Sequence, residues 1–301
     1  MKKQTAFVTF IFLFLCLLAD RPLAAAQHAL QTSEIEVVYE DGSREVAEEV
    51  MTIFPEVKDA LRKSLSLETD VRPRIVLLRN RDAFVRVAGS EIFLAYAVPH
   101  RYLIVIDISR AYSEPFTLET TVKHEMCHLL LHDAIPDSSL PRWLDEGICQ
   151  WASGGISELL ATNRGNALAR AVATDTVMSM DDLTVFPKDE ASIILAYEES
   201  KSMVEYINNQ YGHDSIVRIL SYARAGYPVD ESLQRSLAIS LPGLEQLWRE
   251  HLRGTHSWFS YLSGHLYTML FLLAGLITIY GFLRFLKKKR DYTDEEESDA
   301  L

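Results

Sequence analysis

One run of the sequence limits what the rest of the chain can fold into: Leu262–Leu286, with interruptions at Ser263, Gly264, His265 and Arg284 and an apolar centre from Met269. As a helix rising ~1.5 Å per residue it would be roughly 37 Å long, enough for a hydrocarbon core ~30 Å thick. Trp258, Phe259, Tyr261 and Tyr267 gather at one end, and Lys287, Lys288, Lys289 and Arg290 close the other. Interfacial aromatics on one side and a basic cluster on the other predict a transmembrane helix over residues 259–286, with the C-terminus in the cytoplasm. The tail, 287–301, is basic and then acidic. From Asp291 onward it has six acids and no base, and is expected to lack fixed structure.

The opposite end carries a second apolar run. Lys2 and Lys3 precede Ala6–Ala19, and Ala24, Ala25 and Ala26 follow a short polar patch. A basic start, a run of that length and small residues at the end describe a signal peptide over 1–26, cleaved after Ala26. The run is shorter than the ~20 residues of a spanning helix, which disfavours a retained anchor. Residues 27–258 are therefore expected to fold outside the cytoplasm. With the C-terminal helix, this predicts a single-pass inner (cell) membrane protein whose main domain is periplasmic or otherwise extracytoplasmic.

That domain holds 22 Lys and Arg against 35 Asp and Glu, and the whole chain carries −12. An acidic surface cannot neutralise phosphates, so a general nucleic-acid binder is excluded. With 48% hydrophobic and 24% charged residues, wholesale disorder is excluded as well. The length suits one domain of two lobes, or two small domains. Its two cysteines, Cys127 and Cys149, are too few for a disulfide scaffold. They are expected to act as small apolar packing residues, with a single bridge as the alternative.

The first half of the domain mixes strand and helix patterns. Ile35, Val37 and Tyr39 alternate with acids before an Asp41-Gly42 turn. Val46, Val50, Ile53, Val57, Leu61 and Leu65 keep helical spacing, with Pro55 expected to kink or divide the segment. Ile75–Leu78 and Leu103–Ile108 read as buried strands, and Phe93–Val98 as a strand at an edge, given Pro99. After Pro115 the pattern predicts helices over Leu118–His132, Pro141–Trp151, Ile193–Tyr211, Ser215–Arg224 and Leu244–Leu252, with stops at Gly154-Gly155, Ala225-Gly226 and Gly212. The expected fold class is α+β: a small sheet lobe followed by a helical lobe.

The chemistry-bearing residues sit where the two lobes meet. In His124-Glu125-Met126-Cys127-His128 the two histidines are one helical turn apart and share a face. Two such imidazoles can hold one zinc ion at ~2.0–2.1 Å, with Glu125 in reach of a bound water. A second helical stretch begins Pro141-Arg142-Trp143-Leu144-Asp145-Glu146-Gly147, with 17 residues between His128 and Glu146. That separation allows a loop and an antiparallel return, which would bring Glu146 to the histidines as a third ligand and leave a fourth position for water. His132, His213 and His251 read as helix-end or surface residues.

These motifs, HEMCH followed by WLDEG, resemble the gluzincin metallopeptidases of the thermolysin and aminopeptidase clan, and in particular their small peptidase-MA-like domains. The likeness runs from about Ile35 to Leu252. AYEESKSMVEYINNQYG resembles the family's helix after the zinc site, and LEQLWREHL its terminal helix. The resemblance implies a thermolysin/aminopeptidase-like catalytic domain with the zinc site between its lobes. It also implies one Zn2+ per chain on His124, His128 and Glu146, with Glu125 as general base and acid. In larger relatives a Tyr or His of the helical lobe steadies the oxyanion, which makes Tyr197 the candidate here. Aminopeptidases of the clan carry a Gly-x-Met-Glu-Asn segment whose Glu grips the free amine. Phe93–Val98 holds no such Glu, so aminopeptidase activity is not expected.

The leading expectation is thus a membrane-anchored zinc endopeptidase, with a peptide or protein as substrate and the bilayer as its other partner. A silent peptide-binding scaffold of the same fold and a zinc hydrolase of non-peptide substrates are the alternatives.

Overall fold

A computed structural model describes residues 27–110, 112, 117–154, 167–255 and 266–298. They fall into two compact units, one of residues 27–168 with 177–248, the other of residues 169–176 with 249–298. The expected signal peptide, Pro115, Gly155, Trp258, Phe259 and Tyr261 lie outside the described residues.

The first unit is α+β, with a five-stranded sheet followed by helices. Strands β1 (Gln27–Gln31), β2 (Glu36–Glu40), β3 (Arg74–Leu78), β4 (Ala95–Val98) and β5 (Leu103–Asp107) stand in the order β1-β2-β3-β5-β4. The central pairs β2/β3 and β3/β5 are parallel, while β1/β2 and β4/β5 are antiparallel. Parallel neighbours need a crossover. Helix α1 (Arg44–Leu65) supplies the one between β2 and β3, and buries Ala47, Val50, Phe54, Val57, Leu61 and Leu65 along one stripe. Pro55 lies inside α1 without dividing it. Its ring is exposed, so the carbonyl it leaves unpaired can face water, and the apolar stripe continues on both sides.

Helix α2 (Arg81–Ala88) follows β3, capped by the Asn80 side chain on Ala83 N at 2.9 Å. Its Arg81 donates to Asp107 Oδ2 at 2.9 Å and to the Phe93 carbonyl at 2.7 Å, and also to the Glu91 carbonyl. Asp107 is wholly buried at the end of β5, and a buried carboxylate must be paired. That pair anchors the segment leading into β4. β4 is left at the edge of the sheet, and among the described residues no strand pairs with its other side.

Helices α3 (Leu118–Ala134) and α4 (Arg142–Ser153) come next. Thr117 caps α3 by accepting from Thr120 N at 3.1 Å. From Met126 to Leu131 every residue of α3 is buried, because the helix packs against α1, α4 and β4 together. Gly154 ends α4 in the left-handed conformation, φ +68°, which glycine adopts without a Cβ clash.

The remaining helices are α5 (Ala167–Thr174), α6 (Glu190–Tyr211), α7 (His213–Arg224), α8 (Val229–Leu237) and α9 (Leu241–Thr255). The Asp189 side chain caps α6 on Ser192 N at 3.0 Å. Trp248 of α9, fully buried, donates to Ser202 Oγ of α6 at 3.1 Å.

In the second unit, helix α10 (Leu266–Ser298) contains Thr268–Phe285, whose mean hydropathy is 1.8 and none of which is buried. By length and composition it can cross a membrane. The helix runs on through the basic cluster to Ser298, so the acidic tail is helical where no fixed structure was expected. No Gly or Pro interrupts the sequence after Gly281, and a helix already nucleated extends cheaply.

Candidate metal centre

Three donor atoms converge between α3 and α4. His128 Nε2 lies 3.2 Å from His124 Nε2, and Glu146 Oε2 lies 3.5 Å from the first and 3.6 Å from the second. A tetrahedral ion with ligands at ~2.0–2.1 Å sets its ligands ~3.3 Å apart, close to these separations. All three residues are buried. Glu146 Oε2 is buried and accepts no hydrogen bond among the described residues, an expensive state for an ionised oxygen unless a cation takes it up. The residues present therefore fit a divalent zinc ion.

Local sequence explains the arrangement. His124 and His128 are one turn apart on α3, and each ring turns its Nε2 toward the same point. The His128 Nδ1 sits 2.8 Å from Asp145 Oδ1. A carboxylate only accepts, so Nδ1 carries the proton and Nε2 offers its lone pair inward. Glu146 arrives on the first turns of α4, where Gly147 lets α4 lie directly on α6. A Cβ there would strike the Ser200 carbonyl and come within 2.7 Å of Val204 Cγ2. That close crossing brings Tyr197 of α6 to the carboxylate. Its hydroxyl, buried, donates to Glu146 Oε1 at 3.1 Å. Glu125 is fully buried on the wall of the same cavity.

The cavity measures about 570 Å³ and reaches from His128, Glu146 and Glu125 to β4, where Tyr96 and Ala97 face it. Its lining also includes Arg142, whose Nη2 lies 2.5 Å from Glu146 Oε1.

Charge is tightly balanced here. Burial raises the Glu146 carboxyl, but Arg142, His128 and His124 outweigh that and hold it well below the usual carboxylate range. Burial likewise raises Asp145, yet His128 and His132 bring it down to about 2. Burial lowers the His128 imidazole, and the carboxylates of Asp145 and Glu146 more than offset it, so in the metal-free protein it lies well above its ordinary value.

Sequence reasoning missed three residues of this cluster. Arg142 and Asp145 belong to it, and so does His132, which was expected to be a helix-end residue without a role. His132 bonds Asp145 Oδ2 at 3.2 Å through Nε2 and Asp137 Oδ1 at 3.0 Å through Nδ1. The first bond raises its pKa above the usual histidine value. A signal existed: His124, His128 and His132 repeat every four residues and share one face of α3.

Cys127 and Cys149 are not isolated packing residues. They form a disulfide between α3 and α4, with Cα atoms 5.3 Å apart. A second possible ligand group, His128, Asp145 and Cys149, loses its sulfur to this bond. The bridge closes a loop of 22 residues, for which the chain-entropy argument gives about 3 kcal/mol. Urea unfolding of the Cys127→Ala/Cys149→Ala variant should show a loss of that order. An unchanged midpoint would mean that the bond adds no constraint.

The sequence profile of the Peptidase MA superfamily matches residues 90–254. The chain belongs to this superfamily. The match covers β4, β5 and the helices through α9, and so spans the whole convergence of donors. No curated protein sequence matches the chain. Among solved structures, the chain is similar to a mutant M1 zinc metallopeptidase from Deinococcus radiodurans at 14% identity, covering 74% of this chain and 52% of that one, with a TM-score of 0.42. The same enzyme bound to a Tyr-Ser-Ala substrate gives 14%, 74%, 51% and 0.43. A two-domain M1 zinc metallopeptidase mutant bound to L-arginine gives 13%, 74%, 51% and 0.47. The chain spans about half the length of these structures. Membership rests on the family profile.

Proposed function

We propose that this member of the Peptidase MA superfamily is a membrane-anchored zinc endopeptidase acting outside the cytoplasm. One observation carries the reading: the two Nε2 atoms and Glu146 Oε2 lie 3.2–3.6 Å apart, with Glu125 on the wall of the same cavity. His124, His128 and Glu146 would hold the ion. Bound zinc makes water acidic and polarises a carbonyl. Glu125 accepts the proton of the attacking water and returns it to the departing amine nitrogen. Asp145 keeps the His128 proton on Nδ1. The edge of β4 that no described strand covers can pair with an extended peptide, and its Tyr96 and Ala97 border the cavity.

The chain organisation completes the proposal: a signal peptide over 1–26, the catalytic domain over 27–258, a transmembrane helix over 259–286 and a cytoplasmic tail over 287–301. The disulfide supports the location, because such bonds persist in oxidising compartments. Protease added to intact spheroplasts should digest the domain and spare a tag placed after Leu301. Loss of the tag would reverse the orientation.

The activity is tested with peptides blocked at both termini. The detergent-solubilised full chain should cleave them internally, stop on chelation and recover with zinc. Cleavage restricted to peptides with a free amine would make it an aminopeptidase. Peptide binding without cleavage would leave the scaffold reading, and turnover of esters or amides other than peptides the third.

A further inference from the structure

Glu146 has two chemically equivalent oxygens, and the protein treats them differently. Oε1 receives Arg142 Nη2 at 2.5 Å and the Tyr197 hydroxyl at 3.1 Å. Oε2 accepts no hydrogen bond among the described residues, and faces His124 Nε2 and His128 Nε2. The two donors come from different helices. Arg142 precedes Glu146 by one turn of α4, so the pair stands on one face. Tyr197 is on α6, brought close by the Gly147 crossing. Phe186 touches both donors: the Arg142 guanidinium lies 5.7 Å from its ring centroid, and the Tyr197 ring meets it edge-on at 5.2 Å. One aromatic ring therefore braces the two groups that hold Oε1.

We infer that Arg142 and Tyr197 are positioning residues that clamp Glu146 Oε1 and restrict the carboxylate to one-oxygen ligation through Oε2. This rests on the zinc reading above. A carboxylate free to rotate can bind a metal through both oxygens, and the second would take the position a catalytic water needs. Two donors on Oε1, one of them charged, oppose that rotation, since swinging Oε1 inward would break both bonds, one of them charge-assisted. The Tyr197 hydroxyl is in this arrangement a support for the ligand, acting through Glu146 and not on the substrate.

The test replaces zinc with cobalt(II) in the full chain in detergent, because the visible absorption of cobalt is intense with four ligands and weak with five. Arg142→Gln and Tyr197→Phe are measured singly and together, with zinc affinity alongside. Arg142 is half exposed and Tyr197→Phe removes a single oxygen, so each single variant keeps its packing. The double variant should bind one metal, show weakened, five-coordinate cobalt absorption, and bind zinc ~10–100-fold more weakly, the usual cost of losing a ligand's outer partners. Turnover should fall in kcat more than KM rises. Arg142→Lys, which keeps a charge beside Oε1, should recover most of the wild-type spectrum. Wild-type absorption and zinc affinity in both single variants and the double variant would overturn the clamp while leaving the zinc site standing. Failure of the wild type itself to take up zinc or cobalt would overturn the zinc reading, and the clamp with it.

Discussion

Glu125→Gln should keep about one zinc per chain and lose turnover by ~10²–10⁴-fold, the usual contribution of a positioned general base. At 1.36 kcal/mol per tenfold this is ~3–5 kcal/mol of transition-state stabilisation. The substitution preserves size and polarity but removes the carboxylate proposed to take the water's proton. Glu125 is not among the three converging donors, so the metal should stay, and peptide affinity should change little. Metal analysis and single-turnover cleavage on the same sample check both halves. Unchanged turnover would remove Glu125 from the chemistry. Lost metal would make it a ligand instead.

His124→Ala should have the other large effect, on metal affinity. It removes one of the three proposed protein ligands, a heavier loss than that of an outer partner, which alone costs ~10–100-fold. Equilibrium dialysis against a zinc buffer should show affinity reduced by more than that range, and Glu146→Gln should behave alike. Asp145→Asn should fall within the range, since it still touches His128 but no longer fixes the proton on Nδ1. Stoichiometric, tight zinc in His124→Ala would place the ion elsewhere.

What the sequence disclosed, and what it hid, follows from where each signal lives. β2, β3 and β5 are legible because alternation or an unbroken apolar run reports burial directly. α1, α4 and α6 are legible for the same reason at helical period, and α3 as a long apolar stretch carrying the histidine pair. β1 escaped because its five residues QHALQ are almost wholly exposed and carry no pattern. α2 buries only Phe84, and α8 only Ser232 and Leu233, so neither leaves a stripe to detect. The cluster divides similarly. HEMCH and WLDEG each encode a spacing within one helix, and the donors they contribute do converge. The Tyr197 bond to Oε1 and the disulfide are relations between helices. The first depends on how closely α4 crosses α6, which Gly147 permits, and the second on how α4 lies against α3; no periodicity announces either.

X-ray absorption at the zinc edge tests the central claim most directly, because two ligand groups share His128 and differ in their chemistry. His124, His128 and Glu146 offer nitrogen and oxygen, whereas His128, Asp145 and Cys149 would add sulfur. The account predicts two imidazoles and oxygen ligands at ~2.0–2.2 Å, with no sulfur shell, in the oxidised full chain. A shell at the ~2.3 Å of a zinc–sulfur bond, or no bound zinc at all, would contradict it.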